Sequence, residues 1–187
     1  MAKELMCEEI RCEHLVQDRW IDFRRSAYRF PDGRVFEPYY SYTRRDYAVI
    51  VASDENGRFL CVRQFRQGIR QVTTEFPAGG IERKDGEPCT LEQALAAARR
   101  ELREETGCVS DAWTHLLTLP SQATLSDNYA WIFRAENCRP DAAQKLDEME
   151  LLEVEKHTPA EIEELIASGG FQQAVHVAAW LLACRNK

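Results

Sequence analysis

The 187-residue sequence lacks any apolar run that approaches the roughly 20 residues of a membrane span. Its first residues, MAKELMCEEIRCEHL, carry acidic side chains where a secretory signal would have its apolar centre. A positive net charge is also missing, because 24 lysines and arginines stand against 31 aspartates and glutamates, a balance of -7. Such a charge argues against a general attraction to nucleic acid or to an anionic membrane. We therefore expect a cytoplasmic protein with neither kind of partner.

Cysteine pairs at metal-binding or redox spacing are absent too. The seven cysteines are odd in number and scattered, with no C-x-x-C motif. We interpret them as reduced thiols that mostly take part in packing. The sequence shows no internal repeat and no low-complexity linker. A chain of this length buries roughly two-thirds of its unfolded surface, so a sizeable core needs neither disulfides nor a structural metal.

Alternating residues and turn signals predict strands in the first half of the chain. Aromatic and β-branched residues flank the turn at residues 31–33, which predicts a hairpin, and a further strand is expected over residues 37–43. The apolar runs YAVIVAS and RFLCVRQF are joined by a second hairpin turn at residues 54–57. The stretch VTTEFPAGG then predicts a short strand that ends at proline and glycines.

The second half alternates strand and helix patterns. WTHLLTL, NYAWIFRAE and LLEVEKHT predict three strands, and the two C-terminal stretches PAEIEELIASGG and QAVHVAAWLLACRN predict amphipathic helices. The order of strands, helix, strands and helices indicates an α+β fold, an α/β/α sandwich. We expect a small β-subdomain over residues 1–45 and the main domain over residues 46–187.

One helix is predicted in more detail. Thr90, followed three residues later by Gln93, forms a capping-box pattern, and apolar residues then recur at helical spacing as far as Leu102. Gly107 is suited to end the helix, which gives it a length of about 16 residues. Three glutamates, Glu101, Glu104 and Glu105, fall within an arc of about 100° on its surface.

Three carboxylates on one helix face repel one another by roughly 0.2–0.5 kcal/mol per exposed pair. One interpretation is a solvated charged face on which Arg99, Arg100 and Arg103 serve as partners. The other is a site for a hard divalent cation such as Mg²⁺, which prefers oxygen ligands and whose charge removes the repulsion. The triad alone leaves both interpretations open.

The surrounding residues resemble the Nudix box of pyrophosphohydrolases position for position. The match comprises Gly86, Glu92, Arg100, Glu101, Leu102, Glu104, Glu105, Gly107 and Cys108, the last where an aliphatic residue is more usual. Two further stretches, RQFRQGIRQVTTEFPAGGIE and LDEMELLEVEKHTPAEIEELIASGGF, are similar to the ADP-ribose pyrophosphatase branch of that family. The resemblance covers residues 36–183 and implies the Nudix α/β/α sandwich.

In this family water attacks a phosphorus atom of a nucleoside-linked pyrophosphate, with Mg²⁺, or alternatively Mn²⁺, as cofactor. The resemblance implies Glu101, Glu105, Glu104 and the carbonyl of Ala78 as metal ligands. It also implies a structural pair of Glu92 and Arg100, beside the box glycines Gly86 and Gly107. Gly79 and Gly80 would let the backbone approach the phosphates.

The resemblance also implies a general base on the acidic loop KLDEMELLEV, which offers Asp147, Glu148 and Glu150. We favour Glu150, then Glu148, with Glu104 as a further catalytic candidate. An ordinary solubilising role is the alternative for each acid. For substrate binding, Arg66 matches an arginine that holds phosphate or terminal ribose, and Glu75 matches the acid of the E-x-P-A-G run; a surface arginine and a capping carboxylate are the alternatives.

Nucleobase contacts would come from the N-terminal region, often across a homodimer. The candidates are Phe36, Glu37, Tyr39, Tyr40 and Trp20, and for the aromatic residues packing in the core or interface is the alternative. His176 is interpreted as a packed or surface histidine.

One loop departs from the pattern of relatives that prefer ADP-ribose. These usually have proline followed by glycine past the box, whereas LPSQATLSDN has Gln122 and Ala123 at that point and Pro120 two residues earlier. ADP-ribose is the expected substrate, with GDP-mannose and other nucleoside diphosphate sugars as alternatives. A catalytically idle, nucleotide-binding Nudix domain is the competing class. The EFPAG lead-in and the acidic loop argue against nucleoside triphosphates and dinucleoside polyphosphates.

Overall fold

The computed structural model describes residues 5–82, 87–146 and 150–185. In those ranges the chain forms eleven strands and three helices. The strands are β1 (Glu8–Gln17), β2 (Asp22–Arg29), β3 (Val35–Thr43), β4 (Tyr47–Asp54), β5 (Phe59–Arg66), β6 (Gln71–Glu75), β7 (Ala78–Gly80), β8 (Cys108–Val109), β9 (Ala112–Pro120), β10 (Tyr129–Pro140) and β11 (Leu152–His157). The helices are α1 (Leu91–Thr106), α2 (Pro159–Ser168) and α3 (Ala174–Arg185).

The chain divides into two compact units, residues 1–45 with 120–129, and residues 46–119 with 130–187. The first unit is built on an antiparallel sheet in the order β1-β2-β3. Its β2–β3 hairpin was predicted from the turn at residues 31–33, whereas the further strand expected over residues 37–43 is part of β3 itself. Strand β1 was not predicted, because every residue of EEIRCEHLVQ is exposed and no buried face imposes an apolar pattern.

Residues 120–129 join the first unit, although the sequence interpretation assigned them to the main domain. The backbone N–H of Tyr42 on β3 donates to the carbonyl of Leu125 at 2.8 Å. The hydroxyl of Thr43 and the guanidinium of Arg24 both donate to Asp127, at 2.6 and 3.0 Å. This loop is therefore a second chain segment of the N-terminal unit.

The second unit is an α/β/α sandwich, as predicted. Its mixed eight-stranded sheet follows the order β11-β5-β4-β10-β8, with β6 on β5, β7 on β4 and β9 on β10. Strand β4 lies parallel to β10 and antiparallel to β5 and β7. Residues 48–52 of β4 are fully buried: Ala48, Ile50 and Ala52 pack in the cluster with α1, whereas Val49 and Val51 pack in the cluster with α2 and α3.

Helix α1 has the predicted ends and the predicted 16-residue length. The Thr90 hydroxyl accepts from the N–H of Gln93 at 3.2 Å, and the Gln93 side chain accepts from the N–H of Thr90 at 2.9 Å. Gly107 ends the helix in the left-handed region at φ 70°, and its carbonyl accepts the N–H groups of Asp141 and Ala142 at 2.8 and 3.1 Å. The end of α1 therefore also anchors the segment that leads into the acidic loop.

All seven cysteines are free thiols, and Cys61, Cys108 and Cys138 are buried. Burial raises the pKa of Cys61 well above its ordinary value and that of Cys138 to about 12. No helix within residues 5–82, 87–146 and 150–185 is long and apolar enough to cross a membrane.

Candidate active site

The buried face of α1 packs closely against β7. Glu101 and Glu105 are only 7% and 3% exposed, and a carboxylate oxygen of Glu105 accepts the N–H of Ala78 at 3.0 Å. A Cβ atom on Gly79 would lie 1.9 Å from Cδ of Glu101. The missing side chain at position 79 therefore makes room for the Glu101 carboxylate.

Arg100 lies between Glu101 and Glu104 and contacts both carboxylates. Its guanidinium lies 2.7 Å from a carboxylate oxygen of Glu101 and 2.8 Å from one of Glu104, and it donates to the carbonyl of Gly80 at 3.0 Å. Glu104 is turned toward this cation, with 34% of its side chain exposed. The three predicted ligands therefore differ in burial.

The predicted pair of Arg100 with Glu92 is not found among the ion pairs of the described residues. Eight helical residues span about 12 Å along the axis, whereas Glu104 lies one turn away and the carbonyl of Gly80 lies directly beside the helix. The guanidinium of Arg100 therefore binds the nearer oxygens of Glu104 and Gly80.

The two buried carboxylates have raised pKa values. Burial raises the pKa of Glu101 to about 7; the Arg100 cation opposes the shift, and the negative charges of Glu104 and Glu150 add to it. Burial also raises the pKa of Glu105 well above its ordinary value, with further contributions from Glu101 and Glu150. Burial disfavours the charged form of both carboxylates, and a hard divalent cation bound between them would offset that cost.

The part of the chain that the structure describes contains no group of three histidine, cysteine, aspartate or glutamate side chains arranged to hold a metal ion. Two buried carboxylates meet only part of the six-fold oxygen coordination that Mg²⁺ prefers. Mg²⁺ in proteins keeps several waters and takes phosphate oxygens as ligands. The residues present fit such a partial, substrate-completed site.

Arg66 and Glu75 form a second charged element beside this face. Glu75 is fully buried, and Nε of Arg66 donates to its two carboxylate oxygens at 2.9 and 3.1 Å, while Nη2 donates to one of them as well. This side-on, two-nitrogen contact restricts the rotation of the guanidinium. Glu75 therefore orients Arg66 and is itself shielded from solvent.

A cavity of about 540 Å³ joins several predicted site residues. Its lining includes Arg66, Ala78, Glu105 and Glu150, which were predicted for substrate, metal and proton transfer. Glu150 influences the pKa values of both Glu101 and Glu105, so its charge lies near theirs. Gly86, Asp147 and Glu148, which the sequence also nominated, lie outside the described residues.

The nucleobase candidates belong to the N-terminal unit. Phe36 is 48% exposed, and its ring meets that of Tyr39 edge to face at 6.1 Å. Glu37 forms an ion pair with Arg11 at 2.5 Å. Tyr40 stacks on Phe23, and Trp20 is exposed with the guanidinium of Arg19 over its ring.

A second cavity, of about 530 Å³, is lined by basic residues of α1 together with Trp113 and Lys145. The Arg99 guanidinium lies over the Trp113 ring at 5.9 Å, and Nε of Arg103 lies 2.8 Å from a carboxylate oxygen of Asp141. Arg99 and Arg103 therefore have partners within the chain other than the glutamates of α1. Of the three arginines proposed as partners of the glutamates, Arg100 alone takes that role within residues 5–82, 87–146 and 150–185.

Sequence reasoning missed the part played by His176. This histidine on α3 is 2% exposed, and its Nδ1 accepts the backbone N–H of Phe76 at 3.2 Å. Its Nε2 lies 3.9 Å from a carboxylate oxygen of Glu75. Burial, with the Arg66 cation, lowers the pKa of His176 to about 3. The apolar run QAVHVAAWLLA gives no signal of a partner 100 residues earlier in the chain.

Comparisons with known proteins match the chain to one family. The model of the NUDIX domain family matches residues 43–180. The chain is 27% identical over 167 residues to an ADP-ribose pyrophosphatase of Bacillus subtilis (strain 168), covering 89% of this chain and 86% of the relative. It is 31% identical over 137 residues to an ADP-ribose pyrophosphatase of Mycobacterium tuberculosis, covering 71% of this chain and 60% of the relative.

A solved structure, that of an ADP compounds hydrolase, has the same fold. Its TM-score is 0.80 at 23% identity, with 96% of this chain and 92% of that chain covered.

Proposed function

Since the chain belongs to the NUDIX domain family and is a Nudix hydrolase, we propose that it hydrolyses the pyrophosphate bond of a nucleoside diphosphate sugar with Mg²⁺. ADP-ribose, split into AMP and ribose 5-phosphate, is the first substrate we propose, and the two ADP-ribose pyrophosphatases among the relatives support this choice. The observation that carries the proposal is the buried carboxylate pair, Glu101 and Glu105, with Arg66 and Glu150 in the same cavity as Glu105.

Glu101, Glu105 and the carbonyl of Ala78 would hold the Mg²⁺, with Mn²⁺ as the alternative and Glu104 as the further ligand. When bound, the cation would neutralise the pyrophosphate, polarise the phosphoryl group and lower the pKa of the attacking water. The raised pKa values of the two buried glutamates support this assignment, because they mark a place where added positive charge is favourable.

Other groups around the cavity would bind the substrate and transfer the proton. Arg66, oriented by Glu75, donates to a phosphate oxygen or to the terminal ribose of the substrate. Glu150 accepts the proton of the attacking water, and its place in the cavity beside Glu105 supports this role over that of a solubilising acid. At Gly80 an added Cβ would meet no atom within 4 Å, so a phosphate can approach the backbone there.

We propose that the protein works as a cytoplasmic homodimer in which residues 1–45 supply the subunit contact. The N-terminal unit supports this, because many of its large apolar residues remain exposed: Ile10, Leu15, Val16, Phe30, Val35, Phe36 and Tyr40. A subunit contact would remove such apolar surface from water. Phe36 and Glu37 would contact the nucleobase from this sheet.

A substrate panel tests the function. ADP-ribose, GDP-mannose, ADP-glucose, UDP-glucose, NADH and diadenosine polyphosphates are compared with Mg²⁺ by kcat/KM, which measures differential transition-state binding. We expect ADP-ribose to rank first and to yield AMP and ribose 5-phosphate. A GDP-mannose value more than tenfold higher, about 1.4 kcal/mol, overturns the substrate but keeps the reaction class. No turnover of any compound makes the idle nucleotide-binding domain the better account.

A further inference from the structure

We propose that His176 is a positioning residue of the active site, which aligns Glu75 and the backbone of Phe76 and so fixes the guanidinium of Arg66. The inference rests on the proposed function, because that function gives Arg66 a substrate to bind. His176 lies on α3 and is not among the residues that line the cavity. It would act through its neighbours without contacting the substrate.

The hydrogen bond from Phe76 determines which nitrogen of His176 carries the proton. Because the N–H of Phe76 donates to Nδ1 at 3.2 Å, Nδ1 presents its lone pair and the proton of the neutral ring resides on Nε2. The backbone thereby sets one tautomer in a side chain that is 2% exposed.

The protonated nitrogen faces the buried carboxylate. Nε2 of His176 lies 3.9 Å from Oε2 of Glu75, which is beyond hydrogen-bond distance but places an N–H dipole against a fully buried negative charge. The same Oε2 accepts from Nε of Arg66 at 3.1 Å and from Nη2. Histidine and arginine therefore act on one oxygen from different elements, and the carboxylate has little freedom to rotate.

The contact between His176 and Phe76 also affects the residues proposed to hold the metal. Phe76 is two residues before Ala78, whose N–H donates to Glu105 at 3.0 Å. Without an acceptor at position 176, the N–H of Phe76 would be a buried, unsatisfied donor, and the segment would move to satisfy it. Such movement would disturb Glu75 directly before Phe76 and Ala78 after it.

Three variants separate the two contacts. H176N keeps an oxygen near the place of Nδ1 but has no group at the place of Nε2. H176Q carries an N–H group near the place of Nε2 but has no acceptor near Nδ1. H176F has neither the acceptor nor the N–H group. F59L is the matched control for core packing, because Phe59 belongs to the buried core cluster that contains Phe76 and its ring meets that of Trp180 at 4.9 Å.

The first readout is the KM for ADP-ribose beside kcat and thermal stability. We expect H176F to raise KM at least tenfold, H176N and H176Q to raise it by smaller factors, and F59L to lower Tm while leaving KM within twofold of wild type. Two results would overturn the proposal: wild-type KM in both H176N and H176Q, or an F59L variant whose KM rises as much as that of H176F.

A second readout needs no substrate and therefore separates this inference from the proposed function. In ¹⁵N spectra the Nε–H resonance of Arg66, identified by its loss in R66K, should be sharp in wild type and F59L because Glu75 holds it. We expect this resonance to broaden or shift in H176F, or in H176Q if H176F does not fold. An unchanged resonance contradicts the positioning role even if the enzyme proves inactive on every compound tested.

Discussion

Replacing Gly79 by alanine tests whether the fit between β7 and α1 sets the position of the Glu101 carboxylate. A methyl group there would stand 1.9 Å from Cδ of Glu101 and 2.0 and 2.3 Å from its carboxylate oxygens. Carbon atoms in contact prefer about 3.5 Å, so the carboxylate must move by about 1.5 Å. Gly79 is not among the glycines with positive φ, so alanine introduces no backbone strain of that kind.

The expected loss falls on activity far more than on stability. A displacement of about 1 Å at a reacting centre costs about 100-fold in rate, which corresponds to about 2.7 kcal/mol of transition-state stabilisation. Swinging the side chain of Glu101 off its rotamer costs only about 0.5–1.5 kcal/mol of folding free energy. The smaller conformational freedom of alanine in the unfolded chain offsets part of that cost.

The measurement is kcat/KM for G79A across a Mg²⁺ titration, with thermal unfolding in parallel. G68A is the matched control, because an added Cβ at Gly68 meets no atom within 4 Å and the position lies in the β5–β6 turn. We expect G79A to lose at least 100-fold in kcat/KM and G68A to stay near wild type. If G79A remains within threefold of wild type at saturating Mg²⁺, the close packing does not position Glu101 and the reasoning fails.

Three further outcomes follow from the same structure. E101Q and E105Q should each lower kcat at least tenfold while remaining folded, because each removes a carboxylate charge worth several kcal/mol to the metal-assisted reaction; near wild-type turnover of both at saturating Mg²⁺ would exclude them as ligands. The pKa of His176 falls from 6.5 to about 3 on folding. Between these pH values the imidazole is protonated in the unfolded chain but neutral in the folded one. The free energy of unfolding therefore decreases as the pH falls below 6.5, by about 3 kcal/mol at pH 4. The loss of stability at low pH is measured by urea unfolding in the presence of a chelator. It should be smaller for H176N than for wild type, because the variant lacks the histidine but keeps Glu101, whose pKa is raised on folding. Equal losses in the two proteins would refute His176 as the origin. Sedimentation at micromolar concentration should give twice the 21.6 kDa chain mass, and a monomer contradicts the homodimer.

Local signals accounted for much of the fold. The cap of α1 is formed by Thr90 and Gln93 within three residues of each other, and Gly107 ends the helix with its own backbone, so the sequence alone predicts both ends. The strand β1 escaped prediction because its ten exposed residues have no buried face. The pairing of residues 120–129 with β3 joins segments about 80 residues apart, which no local pattern indicates.

The candidate site shows the same limit. Helical spacing placed Glu101, Glu104 and Glu105 on one face, but spacing alone does not distinguish the buried pair from the third. The buried pair packs against β7, where Glu105 accepts the N–H of Ala78 and Glu101 lies against Gly79, whereas Glu104 lies on the more exposed side of α1. Tertiary contacts of this kind, like the bond between Phe76 and His176, become visible only when the strands and helices are assembled.

The N-terminal unit consists of two pieces of chain, residues 1–45 and 120–129, and this limits how it can be exchanged. Asp127 binds Arg24 and Thr43 through one carboxylate oxygen, so an insertion or deletion in either piece alters the register of the other. A chimaera that grafts only residues 1–45 onto a related protein would leave these donors without their acceptor. Swapping this unit between relatives therefore requires both pieces to be transferred together, and changes in one are expected to need compensating changes in the other.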